Sequence, residues 1–180
     1  MNPLVVYYSK KGSNKYLAER LARELQCEVE AIRPRLNLFA LLALFGAIKM
    51  SPGIAPLRHD PGSFDRIVLC GPIWMGQLIS PLRDFLKRYR ASITKLYFAT
   101  CCGSSDEDKD GTFGYATVFP RVRAIVGEKC VHCEAFPIGL VLDGEDKNKG
   151  DAVMKTRLSD SNFTGAIEKR STAFVEKVSS

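Results

Sequence analysis

Apolar positions along the chain fall into two alternating rhythms. Residues 4–8 form a short continuous apolar run that stops at the polar stretch Ser9-Lys10-Lys11-Gly12-Ser13-Asn14. Leu17, Leu21 and Leu25 then recur every fourth position, with Ala18 and Ala22 beside them, which is the stripe of a one-faced helix. The same pairing of buried strand and amphipathic helix returns further on. Residues 64–70 read as a strand, and Leu82, Phe85, Leu86 and Tyr89 follow at helical spacing, with Ser80 expected as N-cap and Pro81 as first helical residue. Residues 94–100 read as another strand, ahead of a helix over about residues 113–126 whose main body Pro120 either starts or kinks. Residues 27–32 complete the set as a second strand and residues 131–141 as a last one, broken near Pro137. A C-terminal helix over residues 162–178 turns Phe163, Ile167, Phe174 and Val178 inward. Strands alternating with helices predict an α/β fold with five strands.

Three of the predicted strands run into loops with distinct chemistry. The first, Ser9 to Asn14, opens directly into a helix. The first N–H groups of a helix lack partners and carry partial positive charge, so this is a trap for a phosphate. Gly12 lets the backbone bend around such a group, and Ser9, Ser13 and Asn14 carry side chains that can donate to it. Two known phosphate loops are excluded: only Gly12 is present where the dinucleotide fingerprint needs three glycines, and the Gly-x4-Gly-Lys-Ser/Thr pattern is absent. The second loop, Gly71-Pro72-Ile73-Trp74-Met75-Gly76-Gln77-Leu78-Ile79-Ser80-Pro81, offers an apolar and aromatic wall in Trp74, the only tryptophan, and Met75. The third follows Thr100 as Cys101-Cys102-Gly103-Ser104-Ser105. In open α/β sheets ligands sit outside the carboxyl ends of the strands, where the strand order reverses.

These segments resemble the flavodoxins and flavodoxin-like FMN-binding proteins over about residues 3–140. That family reads roughly Y-x-S-x-T-G-x-T after its first strand. Here Ser9 and Gly12 match, while Lys11 and Asn14 stand where threonine is usual. The region from Phe64 to Leu86 is similar to the family's Y-D-x-I-V-x-G-x-P-x-W-x-G-x-x-x-P-P-x-x-x-F-L pattern, the most specific part of the likeness. The resemblance implies a doubly wound, five-stranded parallel sheet of order 2-1-3-4-5 with helices on both faces. It also implies noncovalently bound FMN. Ser9, Lys10, Lys11, Gly12, Ser13 and Asn14 would hold its phosphate. Pro72, Ile73, Trp74, Met75, Gly76, Gln77 and Leu78 would wrap the ring, and Thr100, Cys101, Cys102 and Gly103 would close the other side. The flavin would carry the chemistry, so no side chain is required as acid or base. The implied activity is electron transfer with a redox partner protein or a small-molecule donor or acceptor. A flavin oxidoreductase linked to NAD(P)H or quinone is the alternative, and a flavin-free binding module of the same fold is a third reading.

Composition narrows these readings. At 180 residues, 46% hydrophobic and 26% charged, the chain is expected to be one domain with a substantial core. It opens without a secretion-signal pattern, and six cysteines in that setting suggest a reducing cytoplasm rather than a disulfide framework. The net charge of +6 departs from the acidic character usual in carrier flavodoxins. Positive charge near a bound flavin would favour its reduced anionic form and raise its potential. Lysines and arginines are scattered without an aromatic-basic stripe, which argues against nucleic-acid binding. An apolar insertion occupies about residues 33–57. Its residues 36–50 are apolar almost all round and would span about 22 Å as a helix, short of a bilayer core of about 30 Å. A helix packed on its own sheet or over the flavin, a homodimer surface, and peripheral contact with a membrane remain open for it.

Three patterns point elsewhere. Residues 106–111 match the first half of a calcium loop, but Thr117 stands at the twelfth position, where a bidentate glutamate is needed. Cys130-Val131-His132-Cys133 has metal-like spacing without a second half and reads as a strand. Cys101 and Cys102 are adjacent, a spacing that rarely forms an unstrained disulfide, and are read as small loop residues.

Overall fold

The computed structural model describes residues 1–35, 53–74, 76–103, 114–148 and 150–180. The apolar segment 36–50, the acidic stretch 106–111, Ser104, Ser105 and Met75 lie outside these. Five strands form one sheet: β1 (Pro3–Tyr7), β2 (Glu28–Ala31), β3 (Arg66–Cys70), β6 (Leu96–Cys102) and β7 (Cys130–Pro137). Every neighbouring pair is parallel, in the order β2-β1-β3-β6-β7. Counting only these five, that is the expected order 2-1-3-4-5. A separate two-stranded hairpin, β4 (Ile73–Trp74) with β5 (Gln77–Leu78), stands in the loop after β3.

The central strands read as continuous apolar runs because helices cover both of their faces. On one face Leu4, Val6, Ile67, Leu69, Leu96 and Phe98 pack against Leu82, Phe85 and Leu86 of α2 (Ser80–Tyr89) and Val118, Val122 and Val126 of α3 (Tyr115–Val126). On the other, Val5, Val68, Tyr97 and Ala99 pack against Leu17, Leu21 and Leu25 of α1 (Ser13–Leu25) and Ile167, Phe174 and Val178 of α5 (Ala166–Ser179). A short helix, α4 (Gly150–Lys155), lies between β7 and α5.

The structure departs from the sequence pattern at several boundaries. Ile79, not Ser80, occupies the N-cap of α2. Ser80 and Pro81 are its first two helical residues, and the Ser80 hydroxyl is buried without a hydrogen-bond partner. Pro120 lies inside α3. The carbonyl its missing N–H would have served belongs to Ala116, an exposed residue, where water can replace the bond. β7 does end at Pro137 and passes into a turn of 3₁₀ helix over Ile138–Val141. The C-terminal helix starts at Ala166 rather than at 162. Ahead of it the Asn162 side chain closes a turn, accepting from the Ser159 N–H at 2.9 Å and donating to the Arg157 carbonyl at 2.8 Å.

The insertion leaves and re-enters the sheet as an antiparallel stem. Pro34 bridges Ile54, the Arg35 N–H donates to Gly53 O at 3.1 Å, and the Ala55 N–H donates to Arg33 O at 2.8 Å. The returning strand is moored on both sides. Asp84 of α2 accepts from the Gly53 N–H at 2.9 Å, and Glu30 of β2 accepts from the N–H groups of Arg58 and His59 and from the His59 ring at 2.6–3.0 Å. Burial works against the Glu30 carboxylate, but these hydrogen bonds outweigh it and hold the carboxyl below its ordinary range.

Candidate functional site

The chain order reverses between β1 and β3, and the loops after β1 and β3 leave from the carboxyl ends of these strands, the first of them tied to the end of β6. The first loop is a backbone device. Ser9 Oγ accepts from the Gly12 N–H at 3.2 Å and so folds the turn back on itself. Gly12 takes φ +102°, a conformation side chains rarely adopt, and a Cβ there would point into open space. No side chain caps α1, and its first turn holds no acidic residue. Lys10 and Lys11 are exposed beside it. The N-terminus of α1 therefore presents positive potential next to an open cradle.

Asn14 holds this loop in place. It is 5% exposed; its Oδ1 accepts from the Cys101 N–H at 2.8 Å and its Nδ2 donates to the Cys101 carbonyl at 2.9 Å. This reciprocal pair locks the start of α1 to the end of β6. The Asn14 amide is thus directed at protein backbone, while the Asn14 N–H remains with the helix terminus. Ser13 Oγ likewise accepts from the Leu158 N–H at 3.3 Å.

The second loop is built from side chains. Gly71 permits the close approach of α2: a Cβ at this position would lie 2.6 Å from a methyl of Leu82, which is fully buried. From there Pro72 leads into the β4–β5 hairpin. Ile73 and Trp74 are half-buried against the apolar cluster, and Leu78 is buried. Gly76 turns the hairpin at φ +66°. Its carbonyl accepts from Thr117 Oγ1 of α3 at 3.2 Å, and Gln77 pairs with Arg121. The sequence pattern read this stretch as loop, because two-residue strands fall below any detectable periodicity.

The third segment is mostly strand. Thr100, Cys101 and Cys102 continue β6 and are buried; Gly103 alone of the four is exposed. Successive strand residues face opposite sides of the sheet, so Cys101 and Cys102 are not a facing pair. Burial, reinforced by neighbouring Cys102, pushes the Cys101 thiol up despite Ser13 and Arg157, and this sulfur stays protonated. Thr100 Oγ1 is buried with no hydrogen-bond partner, an unspent polar atom near the carboxyl end of β6.

Two contributors have no local signature in the sequence. Arg157 lies close enough to Cys101 to favour negative charge there, and it is held by the Met154 and Thr156 carbonyls at 2.7 and 2.6 Å. Val153 of α4 covers Gly103, whose Cβ would lie 3.2 Å from it. Both come from the segment after β7, and only tertiary closure brings them to the first and third loops. Together the three loops offer a cationic cradle, a half-buried apolar wall and an unspent hydroxyl, which suits a flat ligand carrying a phosphate.

No family model and no curated protein matches the chain. Solved structures do match. The flavoprotein of Lactobacillus acidophilus NCFM, solved in complex with FMN, superposes with a TM-score of 0.61 at 15% identity, covering 74% of this chain and 92% of that one. The Streptococcus pneumoniae TIGR4 flavodoxin gives 0.52 at 12% identity, with 99% and 98% covered. An NADPH-quinone reductase from P. pentosaceus gives 0.57 at 10% identity, with 99% and 98% covered. The chain has the flavodoxin-like fold. Among the described residues no helix is long and apolar enough to cross a membrane.

Proposed function

We propose that the chain binds FMN noncovalently and transfers electrons through it. The observation that carries this reading is the uncapped, acid-free N-terminus of α1 opening beside Gly12, at the point where the strand order reverses. The FMN complex of the Lactobacillus acidophilus structural neighbour supports it. The N–H groups of residues 13–15, with Lys10 and Lys11, would receive the phosphate. Ile73 and Trp74 would border the ring, and Thr100 Oγ1 offers a donor or acceptor to a polar edge. The flavin when bound supplies the redox chemistry. The protein positions it, keeps Cys101 protonated nearby and surrounds its phosphate with positive charge. Titration with FMN, followed by quenching of flavin fluorescence, tests the reading: saturation at one FMN per chain supports it, and no binding overturns it.

A second reading is an oxidoreductase that takes electrons from NAD(P)H and delivers them to a quinone. The structural likeness to the P. pentosaceus NADPH-quinone reductase favours it. Steady oxidation of NADPH by the FMN-loaded chain with a soluble quinone would support this reading, and no turnover with either nicotinamide would remove its nicotinamide form.

A further inference from the structure

Cys130 and Cys133 lie at the start of β7, at the end of the sheet opposite the three loops. Residues three apart on a regular strand face opposite sides. Here the register with β6 slips: Leu96 faces Cys130, but the next residue, Tyr97, faces His132. Val131 is the extra residue of a β-bulge and is half exposed. The bulge turns both cysteines to the same face, into the apolar cluster beneath α2 and α3. Their sulfurs stand 3.4 Å apart in an S–H···S hydrogen bond. A disulfide would bring the two sulfurs from this contact to ~2.05 Å. Cys130 follows the exposed turn Gly127–Lys129 and retains 9% exposure, enough for a small reagent to reach it from the surface.

We propose that Cys130 and Cys133 form a reversible thiol pair that reacts with hydrogen peroxide, Cys130 as the attacking sulfur and Cys133 as the resolving one. The hydrogen bond with Cys133 lowers the Cys130 thiol below its ordinary range. Burial opposes this, and Arg123 in the last turn of α3 adds to it; the same bond raises Cys133. In the first step the Cys130 thiolate attacks a peroxide oxygen. The S–O bond forms, the O–O bond breaks, and the leaving hydroxide takes a proton to become water. The Cys130 sulfur is thereby oxidised by two electrons to the sulfenic acid. Cys133 then attacks that sulfur; the S–S bond forms, the S–O bond breaks, and hydroxide leaves with the Cys133 proton as a second water. A thiol reductant returns both sulfurs to thiols by exchange. The pair is remote from the flavin loops, so the reaction needs no flavin.

The test is treatment of the whole chain with hydrogen peroxide, followed by thiol titration in denaturant and peptide mapping without reductant. Free thiols should fall from six to four and recover fully with dithiothreitol. The tryptic peptide spanning residues 130–147 should be lighter by two hydrogens. In Cys133→Ser the reaction should stop at Cys130, trapped by dimedone, whereas Cys130→Ser should lose both the disulfide and the labelling at position 133. Loss of thiols at other cysteines with the 130–147 peptide unchanged would overturn the proposal. So would direct passage to sulfinic or sulfonic acid, or a Cys130→Ser variant that labels at the wild-type rate.

Discussion

The loops after β1 and β3 reach the same end of the sheet by opposite means. Residues 9–14 act through backbone: a glycine at φ +102°, an uncapped helix end, and side chains that brace the turn. Residues 71–78 act through side chains: a two-residue hairpin pressing Ile73 and Trp74 against the core, made possible by a glycine under Leu82. A charged phosphate is best met by N–H groups, whose geometry the backbone fixes. A ring is best met by apolar surface, which only side chains supply. Damage to the bracing of the first loop should therefore lower stability and ligand affinity together, while truncation in the second should separate them.

The largest expected effect is at Asn14. Asn14→Ala strands the Cys101 N–H and carbonyl in a buried site and should cost about 3 kcal/mol of stability, since each unmet buried group costs roughly 1–3 kcal/mol. Denaturant unfolding gives that number. FMN titration should show a weakened complex in the same variant. Unchanged affinity in a destabilised Asn14→Ala would break the comparison, because the loop would then hold its shape without its brace. Gly71→Ala comes next. Its Cβ would meet Leu82 at 2.6 Å in a packed core, an overpacking expected to cost about 2 kcal/mol. Stability should fall while the first loop's geometry is kept.

Glu30 lies outside both loops and serves as the control. Its carboxyl is held below the ordinary range, so its stabilising contribution is complete above the ordinary carboxylate value and disappears as pH falls through the lower, folded value. Glu30→Gln should lose about 1.5 kcal/mol at pH 7, from hydrogen bonds to a charged acceptor. The gap to wild type should close below about pH 4. Unfolding curves at several pH values, with FMN affinity at pH 7 unaltered, would show that mooring the insertion is separate from building the site.

How much of this was legible in the sequence follows from the range of the forces involved. The strands could be anticipated because burial on both faces writes continuous apolar runs, and α1 and α2 because one-sided burial writes a stripe; the strand order came only from the resemblance to the flavodoxins. The first loop was visible as chemistry, yet Asn14 was assigned to a ligand. Its partner is the backbone of Cys101, 87 residues away, and no local pattern encodes that. Cys101 and Cys102 read as loop because small residues ahead of Gly103 look like loop; burial makes them strand. The bulge at Val131 was hidden for a related reason. A one-residue slip in register leaves composition unchanged while moving Cys133 to the face of Cys130.

Trp74→Ala sharpens the comparison from the second loop. The indole is half-buried, so the fold should survive, while the lost wall should weaken FMN binding by about 1 kcal/mol, roughly fivefold. A fall in affinity with near-native unfolding is the separation expected of a side-chain device.

The smallest effect should come from Lys11→Gln. Lys11 is exposed beside the uncapped helix end, so its interaction with a phosphate is screened by water and salt and should contribute only about 0.5 kcal/mol, roughly a twofold change in affinity. The diagnostic is the salt dependence. The difference between wild type and variant should be measurable in dilute buffer and vanish near 1 M salt, where the Debye length falls to about 3 Å. What affinity remains at high salt then belongs to the backbone N–H groups and the apolar wall. If most of the affinity vanished with that one charge, the first loop would be a side-chain device like the second, and the contrast between them would fail.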